Sequence, residues 1–218
     1  MIGDKLTIEK VHTKAARGVT NIVLPIIQAA TGRFVISIAG ESGSGKSEIA
    51  SVLSDLLAEN NVKSVIIQQD DYFVYPPLTN LKMRRKDIGL VGASEVRLAL
   101  LDENLKDIVD GKDEIEKPLV SFEEDRFTTE PVKLQGVKVV IVEGTYTTVL
   151  ENVHQRVFID RTNIDTRESR IRRSREAQDE FLEKILEIEH KIISAHKAQA
   201  SIIVSQSYEV RPDGGKKT

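Results

Sequence analysis

The stretch GESGSGKS, residues 40–47, constrains the fold more than any other part of the sequence. It matches the pattern G-x-x-x-x-G-K-[ST]; an apolar run, RFVISIA at 33–39, precedes it, and helical spacing of apolar residues follows from Ile49 to Leu57. In a strand, glycine-rich loop and helix of this order, backbone N–H groups and the positive end of the helix converge on one anion. The sequence therefore predicts a phosphate-binding loop within an α/β fold.

The composition is typical of a single globular domain. The chain has 218 residues, of which 40% are hydrophobic and 30% charged, and it contains no cysteine, which excludes disulfides and thiol catalysis. The N-terminus lacks the apolar core of a signal peptide, and no run of about 18 apolar residues occurs, so we expect a cytoplasmic protein with no membrane partner. A formal charge of −3 gives no general attraction to nucleic acid.

Strand and helix patterns extend the fold beyond the loop. Four more apolar runs lack the alternation of a half-exposed strand, so we expect them to be buried on both faces, as in a parallel sheet. They lie at 62–69, 137–144, 156–160 and 201–205. Helical spacing occurs at 94–110 and near 176–200. The sequence therefore predicts the α/β three-layer sandwich of P-loop NTPases, with a five-stranded parallel sheet and helices on both faces.

The chain divides into two parts in this interpretation. Residues 1–32 form an N-terminal helical extension, with one or two amphipathic segments interrupted near Pro25. The extension is either a packing element or a contact in a homo-oligomer. The P-loop domain spans 33–218, and a helical lid is expected at about 161–180.

Each residue of the glycine-rich loop is a candidate contact of a nucleoside triphosphate, because main-chain N–H groups form the cradle. The candidates are Gly40, Glu41, Ser42, Gly43, Ser44, Gly45, Lys46, Ser47 and Glu48. Lys46 is expected to contact the β and γ phosphates, and the hydroxyl of Ser47 to bind Mg²⁺. ATP and Mg²⁺ are the predicted cofactors, with GTP left open as the donor.

Three acidic residues follow strands of the predicted sheet: Asp70 and Asp71 come after one apolar run, and Glu143 ends another. The carboxyl ends of parallel strands meet at one edge of a sheet, where ligands of such folds bind. A carboxylate there can bind Mg²⁺ or accept the proton of an attacking hydroxyl group. Helix capping or solvation of a loop is the alternative use of such acids.

A basic cluster occupies RTNIDTRESRIRRSRE, residues 161–176. Its arginines fall on more than one face of a helix, so they cannot all pair with neighbouring acids. Guanidinium groups bind phosphate oxygens bidentately, and we expect this helix to close over a triphosphate. The alternatives are a solvated basic face or a nucleic-acid contact, and the overall acidity argues against nucleic acid.

Several blocks together resemble the uridine kinase and phosphoribulokinase family of P-loop kinases. They are FVISIA before GESGSGKS, QDDYF at 69–73, VVIVEG at 139–144, RVFIDRTNIDTRESRIRRSR at 156–175 and HKAQASIIV at 196–204. The resemblance covers roughly residues 33–205. It implies transfer of the γ-phosphoryl group of MgATP to a hydroxyl group of a small molecule.

The resemblance also implies roles for single residues. Asp70 matches the family's catalytic base and would lie near the metal, although a pantothenate-kinase-like alignment on DYFVYP moves the base to Asp71. Glu143 matches the glutamate associated with Mg²⁺. The other implied residues are Lys46, Arg170 and Arg173 for catalysis and Arg172 and Arg175 for nucleotide binding.

The acceptor is less well defined by the sequence. Its candidate contacts are Asp71, Tyr72, Phe73 and Arg126. Uridine kinases carry a P-x-Y-D-F-x-x-H-x-R segment, and here Leu119 and Val120 replace its tyrosine and aspartate, which removes polar partners for uridine. Uridine or cytidine is the first expectation; pantothenate, ribosylnicotinamide, glycerate or a pentose phosphate stays open. The rival class is a nucleotide-dependent hydrolase or switch, although the guanine-reading motif N-K-x-D is absent.

Overall fold

A computed structural model describes residues 6–173 and 179–213, with the side chain of Arg173 excepted. The strands are β1 Phe34–Gly40, β2 Ser64–Gln68, β3 Glu114–Ser121, β4 Arg126–Lys133, β5 Val139–Glu143, β6 Gln155–Ile159, β7 Ile202–Val204 and β8 Val210–Pro212. The helices are α1 Lys10–Ala29, α2 Lys46–Glu59, α3 Pro77–Lys86, α4 Leu98–Val109, α5 Arg167–Arg173 and α6 Glu180–His196.

The main sheet has the strand order β2-β5-β1-β6-β7-β8. Its first five strands are parallel, which confirms the predicted five-stranded parallel sheet, and β8 adds an antiparallel edge beside β7. The register pairs Gln68 with Glu143 and Ile38 with Glu143, so the carboxyl ends of β2, β5 and β1 lie side by side. The residues that follow these strands therefore meet at one edge.

Two hydrophobic clusters cover the two faces of the sheet. Side chains alternate along β1, so Ile36 and Ile38 pack with α1 and α2, whereas Val35 and Ala39 pack in the cluster that contains residues of α4 and α6. Helices on both faces complete the three layers that the sequence predicts. The helices expected at 94–110 and 176–200 correspond to α4 and α6; residues 176–178 lie outside the described part.

The N-terminal helix α1 is part of the core. It continues through Pro25, so the expected interruption there is wrong. Proline removes one main-chain hydrogen bond, but Val23 and Ile27 on either side are fully buried against the first cluster, and this burial holds the helix together. None of the described helices is long and apolar enough to span a membrane.

The strands β3, β4 and β8 and the helix α3 were not predicted from the sequence. Strands β3 and β4 pair as an antiparallel hairpin, in which Asp125 in the turn has φ +46°. Asp125 also accepts hydrogen bonds from Leu78 N (2.7 Å) and Thr79 N (3.1 Å) at the start of α3. The hairpin therefore holds the N-terminus of α3 beside the chain that follows β2.

One histidine, His154, makes the stability of this fold depend on pH. Burial lowers the pKa of His154, whose Nδ1 accepts a hydrogen bond from Val35 N (3.0 Å). His154 therefore binds a proton more readily in the unfolded chain than in the folded state. Its contribution to the free energy of unfolding is complete above about pH 6.5 and is lost as the pH falls. We expect His154→Leu to cost more stability at pH 8 than at pH 5.5, as measured by urea unfolding. An equal cost at both pH values would contradict this assignment.

Candidate active site

The glycine-rich loop joins β1 to α2 and ends at Gly45, the N-cap of α2. Gly43 and Gly45 have φ +76° and φ +96°, in the region that favours glycine. A Cβ atom at Gly43 would lie 3.0 Å from the Arg170 side chain, and one at Gly45 would lie 3.0 Å from His12. The loop therefore needs glycine both for its backbone and for the close approach of its neighbours.

Lys46 and Ser47 are the first two residues of α2, directly after this loop. The ammonium of Lys46 donates to the main-chain oxygen of Glu41 (3.0 Å), across the loop. The Ser47 hydroxyl donates to Glu143 Oε1 (3.0 Å) at the end of β5. A lysine, a hydroxyl and the amides of a helix N-terminus suit a phosphate chain with its divalent cation.

Glu143 is the most perturbed acid of the site. Burial, together with the nearby negative charge of Asp70, raises its pKa to about 7, against the opposing effects of Lys46, Ser47 and Gln68. A cation beside this carboxyl group would favour its ionised form. Within 6–173 and 179–213 no three His, Cys, Asp or Glu side chains cluster into a cation site.

Asp70 and Asp71 lie on a single turn of 3-10 helix, Gln69–Tyr72, after β2, but their surroundings differ. Asp70 is half-buried and close enough to Glu143 to raise the pKa of that group. Asp71 is 2% exposed; its Oδ2 accepts from Lys117 Nζ (2.7 Å) and its Oδ1 from Val120 N (3.1 Å). Asp70 therefore lies near Glu143, whereas Asp71 anchors the hairpin.

The described part of the predicted lid contains α5, which packs on the loop. Arg170 is buried beside Gly43 and donates to Asn163 O (2.7 Å) and to the hydroxyl of Thr166. Burial lowers its pKa. Arg172 is exposed and pairs with Glu9 at the start of α1 (2.8 Å). The predicted roles of Arg173 and Arg175 fall outside the described part, which includes neither the side chain of Arg173 nor any atom of Arg175.

The candidate acceptor residues occupy different positions. Tyr72 is buried, and its hydroxyl donates to Asn104 Oδ1 (2.8 Å), so the ring lies in the core. Phe73 is half-buried and forms a β-bridge with Val96. Arg126 is exposed at the start of β4 and pairs with Glu124 (2.7 Å).

Several residues around the loop were missed by sequence reasoning. His190 of α6 contacts the buried Glu41 carboxylate (Nδ1 to Oε1, 2.6 Å). Tyr208 donates to the main-chain oxygen of Ser44 (3.2 Å), and His12 packs beside Gly45. No local motif in the sequence marks these contacts.

The fold and the site define a nucleotide-binding P-loop kinase, a phosphotransferase that acts on a hydroxyl group. The chain belongs to the Phosphoribulokinase / Uridine kinase family, whose sequence pattern matches residues 35–189. This confirms the resemblance noted in the sequence.

The names of individual relatives specify different acceptors. A uridine kinase of Lactobacillus johnsonii is 29% identical over 196 residues, 84% of this chain and 87% of that protein. A bifunctional alpha-galactosidase/sucrose kinase of Mediterraneibacter gnavus is 29% identical over 195 residues; these cover 83% of this chain but only 21% of that longer protein. A D-glycerate 3-kinase from Cryptococcus neoformans shares the fold, with TM-score 0.61, 14% identity and coverage of 91% and 99% of the two chains.

Replacing Glu143 should lower activity without lowering stability at pH 8. The raised pKa of Glu143 means that its carboxyl group binds a proton more tightly in the folded state than in the unfolded chain. The stability that this proton contributes is lost as the pH rises from about 4.5 through 7. We expect Glu143→Gln to unfold at the same or a higher temperature than wild type at pH 8, with turnover lowered about 10- to 100-fold. Replacing the exposed Glu114 with glutamine is the control, which should change neither quantity. A marked loss of stability in Glu143→Gln at pH 8 would contradict this account.

Replacing Asp71 should instead cost stability. Asp71→Asn leaves the buried Lys117 paired only with the half-buried Glu130 in the described ion pairs, so we expect a loss of about 3 kcal/mol in urea unfolding. Adding Lys117→Met should recover part of that loss. A variant as stable as wild type but without turnover would make Asp71 the base.

Proposed function

We propose that the protein transfers the γ-phosphoryl group of MgATP to a hydroxyl group of a small molecule. The observation that carries this proposal is the convergence of Ser47, Glu143 and Asp70 at the edge of the sheet beside the glycine-rich loop. The hydroxyl and two acids there flank the place where the loop would hold a terminal phosphate.

Each residue has a distinct task in this proposal. MgATP supplies the phosphoryl group and the charge of the cation. The amides at the start of α2 and the ammonium of Lys46 bind the phosphate oxygens, and Ser47 and Glu143 hold the cation. Asp70 orients the acceptor hydroxyl and accepts its proton, while Arg170 and the arginines that follow neutralise charge and exclude water.

A nucleoside, uridine or cytidine, is the first acceptor we propose, because curated relatives that cover most of this chain are uridine kinases. A sugar or sugar acid is the second. Leu119 and Val120 stand in β3 where a uridine kinase pattern has polar residues, and Val120 N is already bonded to Asp71. Relatives named for sucrose and D-glycerate support this second class.

A panel of acceptors tests the proposal. ADP release from MgATP is measured with uridine, cytidine, sucrose, fructose, glycerate and pantothenate, each against a sample without acceptor. We expect one alcohol to stimulate release and Asp70→Asn to lower kcat at least about 100-fold with little change in affinity for MgATP. Lys46→Ala should weaken nucleotide binding as well. Equal release without any acceptor would indicate a hydrolase and overturn the proposal.

A further inference from the structure

The N-terminal helix α1 reaches the nucleotide loop. Its residue His12 is 8% exposed, and the atoms of its ring lie 3.0 Å from where a Cβ atom of Gly45 would stand. Tyr208, in the turn between β7 and β8, approaches the same glycine, with its hydroxyl oxygen 3.3 Å from that position. A residue near each end of the described chain therefore packs against one glycine of the loop.

Hydrogen bonds link His12 and Tyr208 to each other and to the loop. Glu9 N donates to His12 Nδ1 (3.1 Å), so this nitrogen is an acceptor, and burial lowers the pKa of His12 and favours the neutral ring. The proton of the neutral ring then lies on Nε2, which donates to the Tyr208 oxygen (3.4 Å). Arg161 also donates to that oxygen, and the Tyr208 hydroxyl donates to Ser44 O (3.2 Å).

The bond to Ser44 O fixes the orientation of an amide. Ser44 O and Gly45 N belong to one peptide group, and in a trans peptide the C=O and N–H bonds point in opposite directions. Because Tyr208 holds the carbonyl on its own side, the N–H of Gly45 points to the other side of the loop. Gly45 is the N-cap of α2, where converging amides bind anions.

We infer that His12 and Tyr208 are positioning residues for phosphate binding, which hold the Ser44–Gly45 peptide so that its amide faces the nucleotide. The backbone of Tyr208 supports this, since its φ of +60° is seldom adopted by non-glycine residues, and its hydroxyl lies against the loop at Ser44 O. The N-terminal helix is thereby part of the binding site. The inference depends on the proposed binding of MgATP.

Binding of MgATP and of magnesium tripolyphosphate, measured by calorimetry below the unfolding temperature, tests this inference. Tyr208→Phe removes a single oxygen, and we expect it to weaken the affinity for both probes about 10-fold. Tripolyphosphate has no base or ribose, so an equal loss for both probes locates the effect at the phosphate cradle. A loss confined to MgATP would mean that Tyr208 contacts the nucleoside instead, and would overturn the inference.

His12 has a control in His154, a more exposed histidine whose Nδ1 also accepts a main-chain N–H. We expect His12→Leu to weaken the binding of both probes, His12→Gln, which keeps a donor, to recover part of the affinity, and His154→Leu to lower only the unfolding temperature. Wild-type affinity in Tyr208→Phe and His12→Leu, or an equal loss in His154→Leu, would refute the inference. If wild type binds neither probe, the proposed function itself fails.

Discussion

The parallel register of β2, β5 and β1 is the constraint on which the site depends. It sets Gln68 and Ile38 on either side of Glu143, so the residues after all three strands are delivered to one edge. Helices cover both faces of the sheet, and the burial of Glu143, together with the nearby charge of Asp70, raises its pKa. Topology therefore creates both the convergence of the acids and the low polarity that makes Glu143 sensitive to a cation.

Much of this arrangement was predictable because it is encoded locally. The glycine-rich loop, the five apolar runs and the helices near α4 and α6 all have short-range patterns, and the structure confirms them as elements of one sheet with helices on both faces. The hairpin β3–β4 and α3 were missed, since their residues are charged, with Pro118 and Pro131 within the strands. Their stability comes from contacts to Asp71 and Asp125, which no local pattern reveals.

Adjacent aspartates illustrate why spacing alone leaves a site ambiguous. In sequence Asp70 and Asp71 are equivalent acids at a strand end. The 3-10 turn directs Asp71 toward Lys117 of the hairpin, 46 residues away, and Asp70 remains near Glu143. Both carboxylate oxygens of Asp71 already accept hydrogen bonds, from Lys117 Nζ and from Val120 N. The different environments, and not the motif, are the reason we propose Asp70 as the base.

The glycine-rich loop is supported from several directions by residues distant in sequence. Arg170 packs on Gly43, His190 contacts Glu41, and Tyr208 with His12 holds the peptide before Gly45. His12 and Tyr208 are 196 residues apart, so their contact exists only once α1, the sheet and β8 have assembled. A glycine loop alone is flexible, and ordering it at the moment of binding would cost conformational entropy. The contacts formed during folding already order the loop, so this conformational entropy is not lost again when a phosphate chain binds.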